Sequence, residues 1–193
     1  MNLRKSCLPP GWYPQNPAKI DEFLGNYIVS KAGKTTPSAE KPHKSRVFAT
    51  IAPHAGWYYS GTFAAQAAAA LASQVKQGTT VAVIGGHLPE GMPALFAMEE
   101  AVFSPMGNLT IDSELRDALL DAFRTIPGLK TAEDRYQDNT VEVLLPMVKY
   151  FFPDSRLLWL RPQSTPLLLE TAFPALSANS SAASVRLFWW AKA

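Results

Sequence analysis

The sequence predicts an α/β protein in three layers, a mostly parallel sheet with helices on both faces. Three observations carry that reading. Two short runs rich in β-branched residues, "RVFATIA" and "TTVAVIGG", read as buried strands. Between them lies the alanine-rich "SGTFAAQAAAALASQVKQG", a helix whose small residues permit close approach to a sheet. Strand, helix, strand implies a right-handed crossover and parallel pairing. The alternation then continues along the chain, with no internal repeat and no boundary, so 1–193 is read as a single domain.

The elements follow in order. "NPAKIDEFLGNYIV" is a helix capped by Asn16, with Pro17 at its first position and Ile20, Phe23, Leu24, Tyr27 and Ile28 on one face. "SKAGKTTPSAEKPHKS" has no periodicity and reads as an exposed loop, in which His43 is a solvated histidine. The alanine-rich helix starts at a Ser60 or Thr62 cap and stops at Gly78. "EEAVFSPMGNL" holds a short strand. "TIDSELRDALLDAFRTIPG" is a helix opened by Asp112 or Ser113, with Leu115, Ala118, Leu119 and Ala122 as its stripe. "NTVEVLLPMVKYFFP" is helical from about Thr140, so Pro146 would kink it from inside. "SRLLWLRP" is a strand, "TPLLLETAFPALSAN" a helix opening at Pro166, and "SVRLFWW" a last strand.

Composition narrows the function classes. The chain is 47% apolar and 18% charged, an ordinary globular balance, and its net charge is only +2. The basic residues are scattered, which argues against a nucleic-acid partner. Cys7 is the single cysteine, so no internal disulfide can form. The N-terminus lacks the apolar stretch of a signal peptide, and no run reaches the roughly 18 residues of a membrane span. A cytoplasmic, non-membrane protein is expected. There is no phosphate loop, no dinucleotide fingerprint, no nucleophile elbow and no CxxC pair.

Two histidines remain as candidates. His54, in "IAPHAGWYYSG", follows the first core strand, and His87, in "VIGGHLPEG", follows the second. In open parallel sheets ligands collect at the carboxyl ends of strands. If the two strands are neighbours, both imidazoles stand on one rim. Gly56 and Gly85-Gly86 are expected to leave space near the rings. The pair could ligate a metal or work as acid and base, against the plain alternative of two loop histidines that only hydrogen-bond their own turns. Glu142, at a helix start, is a third candidate, and its ordinary role beside the helix dipole is a strong alternative. Tyr58 and Tyr59 could floor a pocket or pack under a loop, and Trp12 in "GWYP" could cover the rim or anchor the first helix. Asp134 and Asp138 read as solvated loop acids.

The blocks "GWYPQNPAKIDEFL", "IAPHAGWYYSG", "VIGGHLPEG", "FSPMGNLTIDSEL" and "DNTVEVLLP" occur in the order of the Memo-like family, the family of AmmeMemoRadiSam system protein B. The resemblance runs from about Gly11 to about Leu176. Such proteins resemble class III extradiol dioxygenases in fold. By this resemblance His54 and His87 correspond to two metal-binding histidines, and a divalent ion (iron, copper or zinc) is implied. The departures are specific. The usual Gly-Pro-Ser-His-His stands here as Gly85-Gly86-His87-Leu88, and the usual Glu-His-Ser-Ile-Glu-x-His-Leu-Pro as Asp138 to Pro146. Both histidines of the latter segment are replaced, Asn139 standing in place of the first, while Glu142 stays. The resemblance also implies that the family's C-terminal region, with a further metal-side group, is lacking. The expectation is a binding module without catalysis, holding a weak metal or small-molecule pocket lined by Trp12, Tyr58, Tyr59, Asn139 and Glu142. The alternative is a non-haem metal-dependent dioxygenase-like enzyme; no catalytic residue is assigned. A sheet lacking its last elements would expose an edge and apolar surface, including Trp189 and Trp190, for a protein partner or self-association.

Overall fold

The computed structural model describes residues 1–32, 49–73, 78–162 and 185–189, with side chains for 1–26, 49–73 and 78–162. His43, the loop around it, the helix expected to open at Pro166, and Trp190 lie outside the described residues. The helices are α1 (Pro17–Ala32), α2 (Trp57–Ala72), α3 (Ser113–Arg124), α4 (Asn139–Glu142) and α5 (Leu145–Phe151). The strands are β1 (Leu3–Arg4), β2 (Ala49–Ile51), β3 (Thr80–Ile84), β4 (Ala94–Phe96), β5 (Ala101–Val102), β6 (Leu109–Thr110), β7 (Thr131–Glu133), β8 (Arg156–Arg161) and β9 (Val185–Trp189). None of the described helices is long and apolar enough to cross a membrane.

The main sheet has the order β2-β9-β3-β8-β4-β7. The first four strands are mutually parallel. The strand β4 runs antiparallel to β8, and β7 follows β4. The sheet is therefore mixed, with a parallel core and a reversed outer pair. A small second sheet, β1-β5-β6, joins it through the bridge Ile111 to Leu157. The three-layer arrangement follows from strand alternation. Val81, Val83, Leu157 and Trp159 face a core shared with α1, α2 and α5. Ala82, Ile84, Leu158 and Leu160 face the other side, against Leu119 and Phe123 of α3 and against Phe96. Each fully buried side chain of this size contributes about 1.5–3 kcal/mol.

Local chemistry explains the boundaries. The Asn16 side chain accepts the Ala18 amide at 2.9 Å and caps α1. Asp112 caps α3 by accepting the Leu115 amide at 3.1 Å. The helix α2 starts earlier than expected, at Trp57 behind Gly56 and with no side-chain cap. The aromatic run is thus its first turn. The indole of Trp57 donates to the Val143 carbonyl at 2.9 Å and so ties the start of the helix to the turn after α4. Gly61 lets α1 lie against α2, since a Cβ there would stand 2.9 Å from the ring of Phe23. Pro146 kinks nothing. The segment is two short helices, and Pro146 sits in the first turn of α5, where its missing N–H costs no bond.

The strand β9 is not at an edge but lies between β2 and β3, paired on both sides along Leu187, Phe188 and Trp189. The outermost strands of the described sheet are β2 and β7.

Candidate functional site

The strands β2, β3 and β8 are parallel, so the residues that follow them share one rim. After β2 the chain turns through Ala52 to Gly56 and carries His54. After β3 the ladder extends one residue, the Gly85 amide donating to the Leu160 carbonyl at 3.0 Å. Gly86 then takes φ +129°, open only to glycine, and turns His87 over the sheet end. The two strands are not neighbours, since β9 separates them. Strand spacing of about 4.8 Å makes that gap about 10 Å, which two imidazoles reaching inward can close. Their Nε2 atoms stand 3.1 Å apart, with ring centroids 4.9 Å apart and planes at 60°.

The glycines beside the rings serve close packing. A Cβ on Gly56 would stand 3.5 Å from the Trp12 carbonyl oxygen. One on Gly85 would collide with Thr140 Oγ1 at 2.7 Å, and one on Gly86 would stand 3.0 Å from Arg161 Cβ. At Gly85 and Gly86 the room a side chain would need is taken by Thr140 and Arg161, whereas at Gly56 the contact is an ordinary one.

The segment from Asp138 to Glu142 supports this rim. Asn139 donates from Nδ2 to the His54 carbonyl at 2.9 Å and holds that loop. Asp138, only 8% exposed, caps α4 by accepting the Thr140 amide at 2.8 Å and the Thr140 hydroxyl. Its Oδ2 stands 3.4 Å from both the backbone amide and the Nδ1 of His87. Arg161 donates to that same Oδ2 at 3.1 Å and to Asp134 Oδ1 at 2.9 Å. Trp159 closes the cluster by donating to Asp134 Oδ2 at 2.8 Å. Both aspartates, read from sequence as solvated, are buried.

The Glu142 carboxylate binds the N-terminal segment. It accepts from the Ser6 hydroxyl at 2.6 Å, the Cys7 amide at 2.9 Å, the Cys7 thiol at 2.7 Å, the Leu8 amide at 3.0 Å and the Tyr13 hydroxyl at 3.1 Å. Trp12 is half-buried against the α1–α2 core, and its carbonyl accepts the Trp57 amide at 2.8 Å. Tyr58 and Tyr59 are 89% and 79% exposed and meet edge to face at 5.0 Å. The structure thus brings together His54, His87 and Asn139, gives Glu142 and Trp12 to the N-terminal segment, and leaves the two tyrosines in solvent.

Electrostatics follow from these partners. Burial, then the neighbouring His87, holds His54 below the usual histidine value against the opposing charge of Asp138. Burial alone would raise Asp138, but the Thr140 hydrogen bonds and the Arg161 charge hold it low and ionised. Burial also works to raise Glu142, and the bonds from Cys7, Ser6 and Leu8 outweigh it. The Cys7 thiol is pushed up to about 11 by burial and by the Glu142 carboxylate. Tyr13 is pushed up to about 12, chiefly by burial.

A divalent ion can be tested against this donor set. Metal–nitrogen bonds of about 2.0–2.1 Å put two ligating nitrogens about 2.9–3.4 Å apart for angles between right and tetrahedral. The 3.1 Å separation of the Nε2 atoms fits. Asp138 is no third ligand, since it lies on the Nδ1 side of His87. Among the described residues no group of three or more His, Cys, Asp or Glu side chains is arranged to hold an ion. The set suits a two-donor site, not a closed one.

Sequence reasoning missed Asp134, Asp138 and Arg161. The signal was present in "SRLLWLRP", where Arg161 follows four apolar strand residues and, if the strand is buried there, needs an acid beside it.

Comparison with known proteins agrees with the resemblance in the motifs. The family model described as Memo-like protein matches residues 4–161. A MEMO1 family protein of Methanothermobacter thermautotrophicus is 28% identical over 167 residues, covering 84% of this chain and 59% of that protein. One from Caldivirga maquilingensis is 29% identical over 157 residues, covering 81% and 55%. One from Archaeoglobus fulgidus is 26% identical over 184 residues, covering 92% and 61%. The chain spans less than two thirds of the length of these relatives.

Proposed function

The chain belongs to the Memo-like protein family, and from that premise we propose that it is a binding module of the family without catalysis, holding a divalent ion weakly between His54 and His87. The observation that carries this reading is the 3.1 Å approach of the two Nε2 atoms from separate strand ends. Two imidazoles leave the other positions to water or to a small oxygen-donor ligand, which makes the ion exchangeable. A bound ion would supply a Lewis acid at the rim. The chain's own groups offer little acid–base help. Glu142 is spent on the N-terminal segment, and Cys7 and Tyr13 hold their protons to about 11 and about 12. His54, held neutral, is in the state an ion requires.

Cobalt(II) titration followed by absorbance tests this. Wild type is expected to bind one ion that dialysis removes, and His54→Ala or His87→Ala to weaken binding by about tenfold or more. Equal metal content in wild type and both variants would end the reading. Oxygen uptake by the iron(II)-loaded protein with a catechol would replace it with a dioxygenase-like enzyme.

A further inference from the structure

The structure assigns to Asp138, braced by Arg161, the role of a positioning residue that fixes the proton of His87 on Nδ1 and leaves its Nε2 lone pair aimed at His54. The inference deepens the two-histidine site and rests on that reading for its ion, though not for its proton.

An ionised carboxylate only accepts. Asp138 accepts the Thr140 amide at 2.8 Å on Oδ1 and pairs through Oδ2 with the Arg161 guanidinium at 3.1 Å, partners that suit a carboxylate and not a carboxylic acid. Its Oδ2 faces the Nδ1 of His87 at 3.4 Å, so in the neutral ring that nitrogen bears the hydrogen. The other nitrogen, Nε2, is then an acceptor. It meets the Nε2 of His54 at 3.1 Å, and the hydrogen of that contact belongs to His54. The two rings are therefore unequal. His87 is preset as a ligand, while His54 must move its proton to Nδ1 before its Nε2 can bind an ion.

The brace is built for permanence. Arg161 is 3% exposed and divides its two terminal nitrogens between Asp138 and Asp134. Asp134 is fully buried and also takes the Trp159 indole. Gly86 presses directly on Arg161, so the backbone carrying His87 and the arginine that holds its acid partner are one packed unit. Carboxylate partners of this kind orient ligating histidines and raise their basicity.

The test is the nitrogen-15 spectrum of the metal-free protein at about pH 8.5, where ordinary imidazoles are neutral. His87 is expected to show a protonated Nδ1 and a bare Nε2, and His54 a protonated Nε2. A proton on Nε2 of His87 overturns the assignment. Asp138→Asn, which keeps an oxygen to cap α4, is expected to lower the Nδ1–H fraction at His87 and to weaken cobalt(II) binding by about tenfold or more. An unchanged proton position and unchanged affinity in that variant also overturn it. The wild-type spectrum decides the matter even where the variant fails to fold. Wild type with the expected protons and no cobalt(II) binding supports the inference and removes the ion-holding function.

Discussion

At Gly86 the chain takes φ +129°, and an added Cβ would stand 3.0 Å from Arg161 Cβ and 3.1 Å from its Nε. Gly86→Ala is therefore expected to cost about 1–3 kcal/mol in urea unfolding, through strain and displacement of a buried ion pair. Gly11, also at positive φ but with open space around it, gives the comparison: Gly11→Ala should cost less. At this scale the sequence was half legible. His54 and His87 stood out because strand ends and glycine turns are visible in a string of letters. Asp134 and Asp138 did not, because the arginine that buries them is more than twenty residues further on. A loop acid looks solvated until its cation is known.

Among the described helices α4 is the shortest, and it serves three segments at once. Its cap Asp138 faces His87, its first residue Asn139 holds the His54 loop, and its last residue Glu142 takes the N-terminal segment. Glu142 is held below its ordinary value of 4.5, so its contribution to stability is present above that value and lost as the pH falls through the folded one. The amide resonances of Cys7 and Leu8 are expected to shift together on acidification below about 4.5, as the segment releases. Cys7 has the opposite sign: its raised value means that stability is kept below 9.0 and lost as the pH climbs through about 11. Glu142→Gln should bring the thiol down and speed its alkylation at about pH 8 by about tenfold or more. An unchanged rate would show that the carboxylate does not guard Cys7. Sequence periodicity located the larger helices. It could not show α4 and α5 as two helices, because a proline in a long apolar run reads as a kink unless the turn at Val143–Leu144 is known. The strands β1, β4 and β7 escaped notice for a simpler reason, since two or three residues carry no period.

Across the whole molecule, the alternation of strands and helices gave the α/β layers correctly, because both faces of β3 and β8 are buried and their runs are continuously apolar. Strand order was not legible. Nothing in the first half of the chain announces that β9 will enter between β2 and β3, or that β4 will reverse against β8. Among the described strands β2 pairs with β9 alone. Ending the chain before Val185 is thus expected to loosen the His54 loop while β3 and β8 keep their own ladder. Hydrogen exchange should then quicken around Ala52 to Gly56 and stay slow in 157–160. Uniform exchange in both regions would mean that β9 does not fasten β2.

The intrusion of β9 also gives the molecule a schedule. A chain emerging from the ribosome carries both imidazoles long before residues 185–189 appear, and until then nothing among the described strands ties the first to the second. Nascent protein should consequently pass through an interval in which it is largely collapsed while β2 still lacks its strand partner, the His54 loop settling beside His87 once residues 185–189 slide home.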